Sequence, residues 1–323
     1  MMVMSTALMT CAAFAVIPVL FAAAFAGPDA LEQEGRRALQ EQRYQEALVS
    51  FEKLTALSPQ SSSAHYGKGM ALSGLRNYAG AIGALEQAVS LDVSNAAAWR
   101  QLVVLYPRVG RADAALEAYH KARPLGPVPT EARLGLARAL RMAGSAARAR
   151  EVLEAQPPES RTAGEHAELG LLALNDAEYE TAARHLREAT RQPDRSDPEA
   201  EYLYAKALEG LGQNDQALAH YRRALEKQPR HRRARFRLGN LLLRSGQADE
   251  GRALLRGYEE FRQRDRIVRM MVAVLASSSL TAVERRDKSL TLVNLLIEAG
   301  ITLKEAWSLG SNLIRPAATR RVD

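Results

Sequence analysis

Residues 212–229 read GQNDQALAHYRRALEKQP, and four other stretches carry the same loose pattern: QRYQEALVSFEKLTALSP at 42–59, RNYAGAIGALEQAVSLD at 76–92, RADAALEAYHKARPLGP at 111–127 and AEYETAARHLREATRQPD at 177–194. Aligned, they place a small residue at Ala47, Ala81, Ala115, Ala149, Ala182, Ala217 and Gly251, separated by 34, 34, 34, 33, 35 and 34 positions. Four residues after each stands a large apolar or aromatic one: Phe51, Leu85, Tyr119, Leu153, Leu186, Tyr221 and Leu255. A spacing of four puts both on one face of a helix. Twelve residues before each small position comes another small or slim residue, at Gly35, Gly69, Val103, Ala137, Gly170, Ala205 and Gly239. Three further on are Ala38, Leu72, Tyr106, Leu140, Ala173, Leu208 and Leu242, which belong to an earlier helix. Turn residues separate the two helices (Gly74, Gly110, Gly144, Asn175 with Asp176, Gly212 and Gly246), and Pro59, Pro127 and Pro229 follow the second. Each unit therefore reads as helix, turn, helix.

The period, the small residue in the first helix, the Ala-x-x-x-aromatic step in the second and the closing Pro resemble the tetratricopeptide repeat. Trp99, Leu102, Tyr106, Ala115, Tyr119, Ala122 and Pro127 follow that family's pattern, with Val103 where Gly is usual. The resemblance spans residues 27–265 in seven units. It implies an all-α fold, a right-handed superhelical solenoid, because one helix pair cannot bury its own apolar stripe and neighbours must stack. It also implies a protein that binds other proteins or peptides in a concave groove. Ile267, Met270, Met271, Val274 and Leu275 form an amphipathic stripe too short to span a bilayer. Residues 266–323 are expected to hold capping helices and a degenerate eighth repeat, with Gly300 as its turn and Ala306 as its small residue. Nothing marks a second domain.

With 47% hydrophobic and 25% charged residues in 323, the composition is that of a folded chain, and the 6% aromatic content with abundant Ala suits close helix packing. The first 28 residues carry no charged side chain, and an apolar run from Ala7 ends in Ala24-Phe25-Ala26 before Gly27. Small residues at both ends of that triplet suit signal-peptide cleavage, so residues 1–26 read as a signal peptide; left uncleaved, a run of roughly 20 apolar residues would serve as a membrane anchor. Cys11 is the sole cysteine and lies inside this segment. Cleavage after Ala26 would leave a chain without disulfide or thiol chemistry.

No motif points to catalysis. His65 and His166 occupy one equivalent place of different repeats and His185 and His220 another, which a solenoid separates, and no HExxH or paired Cys/His spacing is present. Gly67-Lys68-Gly69 lies within a first helix and lacks the spacing of a phosphate loop, and no G-x-S-x-G occurs. The reading is of a protein that is not an enzyme and uses no cofactor or metal.

The net charge of +7 is modest, and of the 44 basic residues only seven are Lys. The densest run holds Arg222, Arg223, Lys227, Arg230, His231, Arg232, Arg233, Arg235 and Arg237. Charge runs on helices are ordinarily just solvated. In the family resembled, however, the concave groove is lined by the first helix of each pair, six, three and two residues before its small residue and one after. Here those places hold Arg233, Phe236, Arg237 and Asn240 in the seventh unit, and Glu199, Tyr202, Leu203 and Lys206 in the sixth. The candidate peptide-binding residues are thus Tyr202, Lys206, Arg233, Phe236, Arg237 and Asn240. Some family members grip a chaperone's terminal carboxylate over three units, but Ala167, Leu171 and Leu203 stand where the earlier basic and amide groups belong, so that ligand is not carried over.

The expected function is a protein-interaction scaffold of the bacterial cell envelope, periplasmic or secreted, whose partners are peptides or proteins bearing acidic or carboxylate groups. The alternative is an accessory subunit of an envelope machine (pilus, secretion or wall synthesis), anchored in the membrane by residues 1–26. Nucleic-acid binding conflicts with export and with so few interleaved aromatics, and is not expected.

Overall fold

Fourteen α-helices and no strands make up the described part of the chain in a computed structural model, which describes residues 27–192 and 196–277 and short stretches between 280 and 295. Residues 1–26, expected to be a signal peptide or anchor, and most of the expected eighth unit lie outside the described residues. The fold divides into two compact units, between Leu172 and Ala173. The first holds α1 (Pro28–Gln40) with α2 (Tyr44–Leu57), α3 (Ser62–Gly74) with α4 (Tyr78–Leu91), α5 (Ala96–Arg108) with α6 (Ala112–Ala122), α7 (Thr130–Met142) with α8 (Ala146–Glu154), and most of α9 (Ala163–Asn175). The second holds the end of α9 and α10 (Tyr179–Ala189), then α11 (Pro198–Gly210) with α12 (Asn214–Lys227) and α13 (Arg232–Arg244) with α14 (Ala248–Ala276). The division falls inside α9.

Every pair turns on the same backbone device. Seven residues take a left-handed φ between 58° and 81°, namely Gln42, Arg76, Gly110, Gly144, Ala177, Gly212 and Gly246, and they recur at the spacing of the repeat. The amide after each reaches back to close the first helix, with Arg43 on the Ala38 carbonyl at 2.8 Å and Gln247 on that of Leu242 at 2.9 Å. This six-to-one bond is the Schellman termination, which satisfies a carbonyl the helix leaves open. Two of the turn residues expected from sequence are corrected by it. Gly74 and Asn175 are the last residues of α3 and α9, and the left-handed places belong to Arg76 and Ala177. Gly74 is needed for space: a Cβ there would meet the Tyr44 ring at 2.3 Å, as one at Gly210 would meet Tyr179. Because a side chain in the left-handed region costs about 1 kcal/mol, Ala177→Gly is expected to raise stability by about that amount in urea melts.

The small-and-large ladder read from the sequence is the core. Ala47, Ala81, Ala115, Ala149, Ala182 and Ala217 are buried, and so are Phe51, Leu85, Tyr119, Leu153, Leu186 and Tyr221. Small residues let the two helices of a pair touch along their backbones. A Cβ on Gly69 would lie 3.3 Å from the Ala81 carbonyl, and one on Gly239 would lie 3.2 Å from that of Gly251. Caps begin many of the helices, with Ser61, Asn77, Asn95 and Asp197 accepting a backbone N–H of the first turn.

The last helix departs from the repeat. At 29 residues, α14 runs unbroken through position 265, where the spacing had closed the seventh unit. No Gly or Pro lies between Tyr258 and Ala276 to stop it. Ile267 and Met270, expected on a separate capping helix, therefore continue α14. No helix among the described residues is long and apolar enough to cross a membrane.

Candidate functional site

Within the second unit, α11, α13 and α14 enclose a hollow of about 930 Å³. Its back wall is built by His231, the residue that caps α13. The Nδ1 of His231 accepts the Ala234 amide at 3.1 Å, so the ring's Nε2 carries the proton and donates to Glu199 Oε2, also at 3.1 Å. Tyr202 of α11 packs its ring 5.0 Å from that imidazole and 5.9 Å from the ring of buried Tyr221. Burial pushes the Tyr202 phenol above its ordinary pKa, with Arg233 and Arg237 opposing the shift.

Arg233 reaches across from α13 to α11. One of its terminal nitrogens donates to both Glu199 oxygens, at 2.8 and 2.9 Å, while the guanidinium sits 5.0 Å from the Tyr202 ring centre. The hydrogen bond from His231 holds the Glu199 carboxyl below the usual carboxylate range, against its partial burial, and the charge of Arg233 adds to the effect. Glu199 is therefore ionised at neutral pH. Arg237 lies 3.6 Å from Glu209, a nearly buried carboxylate that also takes the Tyr221 hydroxyl at 2.8 Å and pairs with Arg244. Phe236 is 43% exposed and stands 5.1 Å from the ring of Tyr258.

Of the six candidate residues, Tyr202, Arg233, Phe236 and Arg237 line this one hollow. Lys206 does not, and the Asn240 side chain turns back on its own helix, its amide donating to the Phe236 carbonyl at 2.9 Å. The wall that sequence reasoning missed is α14, from which Tyr258, Arg262, Arg266 and Arg269 face the hollow. Their spacing of four, four and three is that of one helical face, a signal present in the sequence but cut by a repeat boundary at 265. Arg230, in the turn before α13, also lines the space.

The lining carries seven arginines against two glutamates. Two smaller grooves in the first unit lack such bias. One, of about 390 Å³ beside Trp99 and Tyr106, has Glu86 and Glu117 balanced by Arg111 and Lys121. There Tyr106 donates to Glu86 at 2.8 Å, and burial together with that bond pushes its phenol up to about 12. The other, of about 310 Å³ beside Tyr66, is mostly apolar. Among the described residues no group of three or more His, Cys, Asp or Glu is placed to hold a metal ion.

Tetratricopeptide-repeat models match residues 32–96, 68–128 and 101–160, and residues 208–275, together more than half the chain. Among solved structures the chain is similar to a tetratricopeptide repeat protein from Parabacteroides merdae, at 12% identity over 85% of this chain and 99% of that one with a TM-score of 0.51. It is also similar to PilF of Pseudomonas aeruginosa, at 18% identity over 64% and 94% of the two chains with a TM-score of 0.51. PilW, a widely conserved type IV pilus biogenesis factor, matches at 18% identity over 65% and 98% with a TM-score of 0.50. At such identities the likeness is one of fold. No curated protein matches the chain.

Proposed function

The chain belongs to the tetratricopeptide-repeat family, a family of protein-interaction scaffolds, and from that premise we propose that it serves the bacterial cell envelope by holding an acidic, carboxylate-bearing segment of a partner protein in the hollow of its second unit. The observation that carries this reading is the meeting of cationic walls with aromatic surface. Arg233 and Arg237 can present a planar fork to a carboxylate, which two parallel hydrogen bonds then orient. Phe236 and Tyr258 beside them offer apolar contact to whatever flanks the acid. Both sides of the hollow are helices, so little of the protein has to be ordered on binding.

A labelled peptide of alternating Glu and Phe tests it. Binding should be measurable at low salt and weaken several-fold toward physiological salt, where exposed charges are screened over about 8 Å. A peptide that fails to bind even at low salt would sink the reading.

Support for the envelope comes from the charge-free first 28 residues and their Ala-Phe-Ala end rather than from the pilus protein among the fold neighbours. The same apolar run favours a second reading, an anchored accessory subunit of an envelope assembly machine. N-terminal sequencing of the native protein separates the two: a start at Gly27 supports the exported form and a start at Met1 in the membrane fraction the anchored one. A native chain starting at Met1 in the soluble cytosolic fraction contradicts both.

A further inference from the structure

The arginines of the hollow are not equivalent. Arg233 is already engaged, because Glu199 takes two hydrogen bonds from one of its terminal nitrogens and is itself held in place by His231. Arg237 shares Glu209 with Arg244 and Tyr221. Arg262 has an exposed carboxylate one turn away, Glu259 at 3.1 Å. Arg230 and Arg266, by contrast, are exposed and have no hydrogen bond or ion pair among the described residues, yet both line the same space. An incoming acid therefore meets two kinds of cation: Arg230 and Arg266, exposed and without a partner among the described residues, and Arg233 and Arg237, each already paired with a carboxylate of the protein.

Resting on the reading of the hollow as a partner site, we propose that it holds two anion subsites and selects a protein segment carrying at least two acidic side chains. One acid exchanges with Glu199 on Arg233, and the other is taken by Arg230 and Arg266. Glu199 stands in for the ligand. In the free protein it supplies the carboxylate that the partner supplies in the complex, so the first subsite yields no net pairing until a second anion at Arg230 and Arg266 adds to it. A segment with one acid gains little over Glu199 itself. A segment with several displaces it, because the second contact is then intramolecular and comes at a high effective concentration. Phosphate groups would satisfy the same forks, and free inorganic phosphate serves as the control that separates a small anion from an acidic segment.

The probe is hexaglutamate, compared with an alanine hexapeptide carrying one Glu and with inorganic phosphate, titrated into the full chain at low salt. Hexaglutamate should bind at least about tenfold more tightly than either control. Replacing Glu199→Gln, which keeps the shape and removes the competing charge, should tighten hexaglutamate about fivefold, the size expected when an exposed ion pair no longer has to be broken. Replacing Arg230→Gln and Arg266→Gln together, both exposed and therefore safe for folding, should weaken it about tenfold. Weaker or unchanged binding in Glu199→Gln, or no effect of the Arg230 and Arg266 changes, overturns the two-subsite inference while wild-type binding still supports a carboxylate-binding hollow. Equal affinity for the single-Glu peptide overturns it as well. If neither the wild type nor Glu199→Gln binds hexaglutamate, the reading of the hollow itself falls, and this inference with it.

Discussion

Glu165→Ala is expected to cost the first unit about 3 to 5 kcal/mol, the penalty for stripping one partner from a buried ion pair. Glu165 is 0% exposed and Arg133 is 6% exposed, so the guanidinium left behind would have no ready access to water. Arg133 donates through two nitrogens to one Glu165 oxygen, at 2.9 and 2.7 Å, and further to the Val128 carbonyl and the Thr130 hydroxyl. The other Glu165 oxygen accepts the Thr162 amide and hydroxyl, a reciprocal cap at the start of α9. One side chain thus ties α7 to α9 and also caps a helix. Urea melts should show a much lower midpoint for Glu165→Ala. Changing Arg133→Met and Glu165→Leu together should recover most of the loss, because the desolvated charges go with the pair. An unchanged midpoint in the single variant would mean that the pair is not buried as described.

Reversing Arg233→Glu and Arg237→Glu together should lower the affinity for an acidic peptide by about a thousandfold or more, roughly 4 kcal/mol. Two cations on the wall the ligand approaches become two anions, so that attraction gives way to like-charge repulsion, which costs several kcal/mol. The fold should survive. Arg233 and Arg237 keep 65% and 44% of their side-chain surface in water, and Glu199, left without Arg233, still has His231. Circular dichroism should therefore match the wild type while binding is lost. A double variant that keeps its affinity would make the arginine cluster a solvated face and nothing more.

The repeat was legible because packing writes itself into residue size. Ala115 and Tyr119 announce a helix-on-helix contact whatever the backbone does nearby. The turns were less legible, since their requirement is a backbone angle rather than a side chain. Where glycine fills the left-handed place, as at Gly110 and Gly212, it could be read; where Arg76 or Ala177 fills it, a nearby Gly74 or Asn175 drew the eye instead. The site shows the same split. Tyr202, Arg233, Phe236 and Arg237, which line the hollow, sit at fixed places on first helices that spacing makes visible, whereas Arg262, Arg266 and Arg269 belong to a stretch of α14 beyond the repeat template. Lys206 and Asn240 hold template positions, yet neither lines the hollow. Nor could spacing reveal that Arg233 is paired with Glu199, a residue 34 positions away that also accepts a hydrogen bond from His231.

A photo-crosslinking residue placed at Phe236 tests most directly whether the hollow is where partners bind. The same residue placed in turn at Tyr66 and at Trp99 reports on the two grooves of the first unit. After irradiation of native envelope fractions, mass spectrometry should find the Phe236 variant joined to segments dense in Asp and Glu, with that adduct suppressed by added hexaglutamate. Adducts formed at Tyr66 or Trp99 but not at Phe236, or a Phe236 adduct indifferent to hexaglutamate, would contradict the account and move the binding surface away from the arginines.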